Sequence, residues 1–174
     1  MDDESNEKPS NRIKLGSKKL KTFFIDHLNR IYSAKLHLIE RLPLLYHEAY
    51  FSDLQTTIAE TVENVEKQIA RMEMIYALLD KDVTPANVLG LTSLIDDAFE
   101  AIQRQKGDLA LRDLSIVFYL QNIESVEMAS FQILQMAAVK IKNQQVVQLL
   151  KENYEEAKAD RTLFLLISTK YITN

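Results

Sequence analysis

The chain has 174 residues, with 21 Lys and Arg against 25 Asp and Glu, a formal net charge of −4, and 47% hydrophobic residues. It holds 3 Gly, 3 Pro and 3 His, and no Cys or Trp. This excludes disulfides, thiolate metal sites and cysteine nucleophiles, leaves little glycine for phosphate-cradling loops or an all-β fold, and makes nucleic-acid binding by bulk charge a poor prospect.

Residues 1–17 read as a disordered, solvated arm, with acids first, then Pro9, Gly16 and scattered bases. They contain no apolar core of a signal peptide. No run of about 18 uncharged apolar residues follows anywhere, so no membrane span is expected. Residues 18–174 form one helical domain, and the expected location is the cytoplasm. The KKLK run at 18–21 reads as a solvated helix start.

The first long segment, 19–47, carries apolar residues at 3-4 spacing: Phe24, Leu28, Ile31, Leu38, Leu42 and Leu45. Lys35 interrupts that stripe at its middle. The second, 49–80, runs Ile58, Val62, Val65, Ile69, Met72, Tyr76 and Leu79, with Thr61, Asn64 and Gln68 on an adjoining strip. Pro85 and Gly90 then mark a loop or helix start, and a short helix is expected over 91–105. Gly107 and Asp108 mark the next break. The third long segment, 108–141, is apolar on a wide arc. Its stripes include Val117, Gln121, Glu124, Met128 and Phe131, and Leu120, Ile123, Glu127, Leu134 and Ala137. After a weak turn at 141–145 comes 144–172, with a stripe read as Val147, Leu150, Tyr154, Ala157, Arg161, Phe164 and Tyr171.

Four segments of about 30 residues, each about 45 Å long as helix, with a short helix between the second and third, predict a four-helix bundle with one crossover. If the helices pack antiparallel, their polar midpoints meet at one level. The expectation there is two cations, Lys35 and Arg161, against two anions, Glu124 and Glu127, with Gln68, Asn64 and Gln121 as hydrogen-bonding neighbours. An unpaired buried charge costs several kcal/mol, which a balanced cluster avoids by pairing; the other reading is that Lys35 and Arg161 snorkel along the bundle edge with their heads in water.

Other candidates read as ordinary surface or packing. His27, His37 and His47 stand ten apart and share no helix face, and no Glu-x-x-His occurs. Glu156 and Asp160, and likewise Asp96, Asp97 and Glu100, read as solvent-facing. The tyrosines read as boundary packing and the methionines as core filler.

The stretches IYSAKLHLIERL, QNIESVEMASF and LLKENYEEAKADR resemble the YciE/YciF-like family of bacterial stress-associated proteins, within the ferritin-like superfamily. The resemblance covers about residues 19–170. It implies a ferritin-like bundle, usually a homodimer, with a carboxylate-rich dimetal site in typical members. This chain departs from that pattern at the site itself. It has Lys35 after Tyr-Ser-Ala where the family looks like Glu. It has Asn64 and Val65 in the family's Glu-Thr-x-x-Gln element, keeping only Gln68, and Ala157 and Arg161 in its Glu-x-x-x-Asp element. Glu124 and Glu127 are kept.

The resulting reading is a non-enzymatic stress-associated bundle. Its degenerate dimetal site, formed by Lys35, Asn64, Gln68, Glu124, Glu127, Ala157 and Arg161, is replaced by an ion-pair cluster, with no cofactor, no nucleic-acid or membrane partner and no identifiable small-molecule ligand. The alternative is an iron- or manganese-dependent oxidase, or an iron-handling protein, with a rearranged site using Glu124, Glu127 and Glu63.

Overall fold

A computed structural model describes residues 15–84 and 89–173. Five helices occur in chain order: α1 (Ser17–Glu48), α2 (Ser52–Leu78), α3 (Leu89–Gln103), α4 (Leu109–Ile141) and α5 (Gln144–Ile172). There is no strand among the described residues. Most of the expected arm and the loop at Pro85 lie outside the described residues, and Gly90 falls inside α3 rather than before it.

The sequence explains where most helices stop and start. Asp108 caps α4, its side chain accepting the Leu111 N–H at 3.0 Å. Lys142 ends α4 in a left-handed conformation, φ 63°. Asn143 then caps α5 by accepting the Val146 N–H at 3.1 Å. The start of α2 is capped from another helix. Its N-cap, Phe51, has no side-chain cap of its own. Instead the fully buried Asp113 of α4 accepts the N–H groups of Tyr50 at 2.9 Å and Phe51 at 2.8 Å, and the Tyr171 hydroxyl at 2.7 Å.

Side-chain pairs fix the arrangement. Tyr76 donates to Asn29, and Arg112 pairs with Glu48 while Lys35 pairs with Glu127. Arg71 pairs with Glu156 while Lys170 pairs with Asp53, and Arg161 donates to Ser125 while Tyr171 reaches Asp113. In each of the last three sets one number rises as its partner falls, so these neighbours are antiparallel. The short connection 49–51 makes α1 and α2 antiparallel as well. The four long helices form a ring in the order α1, α2, α5, α4. The crossover carrying α3 therefore returns the chain along the bundle, and α3 packs on α1 and α4.

On α1 every residue of the expected stripe is buried, Lys35 included. On α5 the seam differs from expectation by one residue over much of its length. The buried positions are Val146, Leu150, Asn153, Ala157, Asp160, Phe164 and Ile167, a regular 3-4 repeat. Val147, Tyr154, Arg161 and Tyr171 sit half-buried at its edge. One residue turns a helix by about 100°, so the central charged residue of α5 is Asp160, not Arg161.

The core falls into two apolar clusters. One includes Leu38, Leu42, Leu54, Ile58, Leu120, Ile123 and Phe164. The other includes Phe24, Leu28, Met72, Tyr76, Phe131, Leu134 and Leu150. A polar layer crosses the bundle between them. No described helix is long and apolar enough to cross a membrane.

Candidate functional site

All four long helices contribute to that layer. Lys35 comes from α1, Gln68 from α2, Glu124 and Glu127 from α4, and Asn153 and Asp160 from α5. Each is at most 5% exposed, and Lys35, Gln68 and Asn153 are fully buried. Three of the six are ionisable acids and one is a lysine, which is an unusual content for a helical core.

Lys35 Nζ pairs with Glu127 Oε2, and its ammonium lies 5.8 Å from the Phe131 ring centroid. This cross-link joins α1 to α4 at mid-height. Glu124, one turn before Glu127 on the same helix, has its pKa raised well above the carboxylate range. Burial is the main cause, the Glu127 charge adds to it, and Lys35 opposes it. Asp160 is pushed up to about 6, again chiefly by burial, although a hydrogen bond from Asn64 Nδ2 at 3.0 Å favours its charged form. The expected balance of two cations and two anions is thus corrected to one cation among three acids, two of which burial drives toward neutrality.

Arg161 does not join this cluster. It is half-buried, its Nε donates to Ser125 Oγ at 2.7 Å, and no carboxylate pairs with it among the described residues. The reason is the seam register, which turns Ala157 and Asp160 inward and leaves Arg161 beside α4. Gln121 is half-buried and stays outside the network. Asp160 and Glu156, expected in solvent, are both engaged. Glu156 receives a two-pronged contact from Arg71, at 2.7 and 2.8 Å. Arg71 also reaches Asn153 Oδ1 at 3.3 Å, and Asn153 Nδ2 donates to the Gln68 carbonyl at 3.3 Å. Asp96 is half-buried rather than free in solvent, and ties α3 to α1 through His37 at 2.7 Å and Arg41 at 2.8 Å.

The layer offers some of the donors of a dimetal centre but not their convergence. Gln68 Oε1, Glu124 Oε2 and Asp160 Oδ2 are buried without a protein hydrogen-bond partner among the described residues, so lone pairs are present. However, no three His, Asp or Glu side chains converge closely enough to hold a metal ion among the described residues. Lys35 already occupies Glu127. Glu63, the remaining acid of the alternative reading, is exposed on the outer face of α2 and cannot join. A dimetal site needs carboxylates from several helices directed at one point, and this donor set does not supply them.

A family model described as "Domain of unknown function (DUF892)" matches residues 19–171. The chain belongs to the DUF892 family. Among its relatives, Protein YciF of Escherichia coli K12 is 25% identical over 146 residues, covering 83% of this chain and 87% of that one. The structure of YcfI from Rhodopseudomonas palustris superposes with a TM-score of 0.80 at 25% identity, covering 90% of this chain and 96% of the other. The E. coli stress protein YciF superposes at 0.83 with 22% identity, covering 89% and 98%. The all-α bundle is the fold shared with these two structures.

Proposed function

We propose that this chain is a non-enzymatic, stress-associated protein on a ferritin-like scaffold, in which an internal lysine takes the place of bound metal. The observation that carries this reading is the fully buried Lys35 paired with Glu127 at the level where the four long helices meet. A cluster of buried carboxylates in a low-dielectric core repels itself unless protons, metal ions or basic side chains neutralise it. The resemblance to the YciE/YciF-like family implies that metal does so in its typical members. Here one cation is covalently built in, and burial favours protonation of the acids beside it. The relatives support the biological half of the reading, since YciF is described as a stress protein.

We place the protein in the cytoplasm as a homodimer. α4 supports the second point, because it is apolar on its outer side as well as its inner one. Leu111 and Phe118, toward the start of α4 and away from Ala129, stand 7 residues apart, close to two turns, and are both exposed. A helix of this kind is ordinarily covered, and a second copy presenting the same stripe would cover it.

The oxidase alternative is disfavoured by the exposed Glu63 and the engaged Glu127. Oxygen uptake on adding ferrous iron separates the two readings. Uptake indistinguishable from the protein-free rate supports the proposal. Catalytic turnover of iron, abolished by Glu124→Ala, would establish the oxidase.

A further inference from the structure

The groove between α1 and α4 has two unlike halves. Over one half α3 lies in it, burying Ile95, Ala98, Phe99 and Ile102. Beyond Leu91, near the start of α3, nothing described covers the groove. There it opens into a cavity of about 380 Å³. Ile31, buried, forms part of its base, and Phe23, Leu91 and Ile133 part of its sides. A few polar groups at an otherwise apolar cleft are the usual design of a small-molecule site.

The charged or chargeable groups lining this cavity are Arg30 and His27. Arg30 is exposed and makes no ion pair among the described residues. His27 Nδ1 lies 2.8 Å from the Phe23 carbonyl oxygen, which can only accept, so Nδ1 carries the proton. The ring stacks on Phe23 at 4.1 Å between centroids, which fixes its orientation. His27 Nε2 is thereby left without a protein partner among the described residues. At the inner end a narrow crevice continues past Leu91 to Leu94, Ile95 and Glu127. The Glu127 carboxylate is already neutralised by Lys35, so the anion nearest the groove is not a free repelling charge.

An apolar trough with one unpaired guanidinium at its edge matches a ligand that is mostly hydrocarbon and ends in an anion; His27 Nε2, an acceptor in this tautomer, is left to a water or a donor group. We propose that the α1/α4 groove binds a free fatty-acid-type molecule, its alkyl chain along Ile31, Leu91 and Ile133 and its carboxylate on Arg30. Burial of the chain supplies affinity roughly in proportion to area. The forked N–H groups of arginine suit a carboxylate and give the orientation. The site is separate from the bundle centre, and its existence does not depend on whether that centre is free of metal.

The test uses the full chain and laurate below its micellar concentration, followed by titration calorimetry. Saturable binding at one site per chain is expected, with dodecyltrimethylammonium, the same chain length on a cationic head, bound at least about tenfold more weakly. Arg30→Gln should weaken laurate binding by about tenfold while leaving the helical circular dichroism unchanged. Ala129→Trp, an exposed position on the groove wall, should block it. The proposal is overturned by absence of saturable binding, by equal binding of the cationic analogue, by an Ala129→Trp variant that binds laurate normally, or by a crystal structure with a second copy seated on Phe23 and Ile133.

Discussion

Replacing Lys35 by Met removes the one cation of the bundle centre while keeping most of its volume. Glu127 then lies 5% exposed with no counter-ion, beside Glu124 on the same helix. Removing one partner of a buried ion pair typically costs about 3–5 kcal/mol. Against a total stability of about 5–15 kcal/mol this is a large fraction. For a chain of this size about 2–4 °C is lost per kcal/mol, so the melting temperature should fall by about 6–20 °C. The double substitution Lys35→Met with Glu127→Leu removes both charges, and buried pairs exchanged for apolar residues are often neutral or stabilising. The double variant should therefore be more stable than either single one. Urea unfolding of the four proteins at pH 7, followed by circular dichroism, measures this cycle. A Lys35→Met midpoint equal to that of the parent would refute the reasoning. So would a double variant whose loss is the sum of the two singles.

Three more outcomes follow from the same geometry. Asp160 is raised from 3.8 to about 6 in the folded chain. Its contribution to stability is therefore full below about pH 4 and is lost as pH rises through about 6, about 3 kcal/mol at 1.36 kcal/mol per pH unit. The difference in unfolding free energy between Asp160→Asn and the parent should shift by that amount, in the variant's favour, between pH 4 and 8, and a difference that is flat with pH contradicts it. Asp113→Ala leaves the Tyr50 and Phe51 N–H groups and the Tyr171 hydroxyl without their acceptor. It should cost about 3 kcal/mol or more in urea unfolding, and a loss below about 1 kcal/mol would show that water replaces it fully. Finally, Lys35→Glu exchanges the central cation for a fourth acid beside Gln68. Manganese should raise the melting temperature of that variant and leave the parent's unchanged, and equal responses would count against Lys35 as the substitute for metal.

Much of this architecture is written in the hydrophobic pattern. The buried stripe of α1 was legible to the residue because Lys35 is flanked on both sides by unambiguous apolar turns, and Asp108 announces the start of α4 by its own side chain. α5 was not, because two adjacent stripes compete. Val147, Tyr154 and Arg161 alternate with Val146, Asn153 and Asp160, and by hydropathy alone tyrosine is a better core residue than asparagine. The second stripe is buried because other helices supply hydrogen bonds to it. Asn153 is held by Arg71 and the Gln68 carbonyl, and Asp160 by Asn64. Those partners are 82–96 residues away in sequence, beyond the reach of any local pattern. The recurrence of short polar residues seven apart, Asn153 and Asp160, was the one available signal. The start of α2 was missed for a similar reason, since its cap is Asp113 of α4.

The central claim is that Lys35 and protonated acids, rather than metal, neutralise the bundle centre. Elemental analysis of the protein purified without chelators, from cells grown with added iron, manganese and zinc, tests it most directly. Metal far below one ion per chain is expected. One or more ions per chain, retained through dialysis and lost on substitution of Glu124, would contradict it.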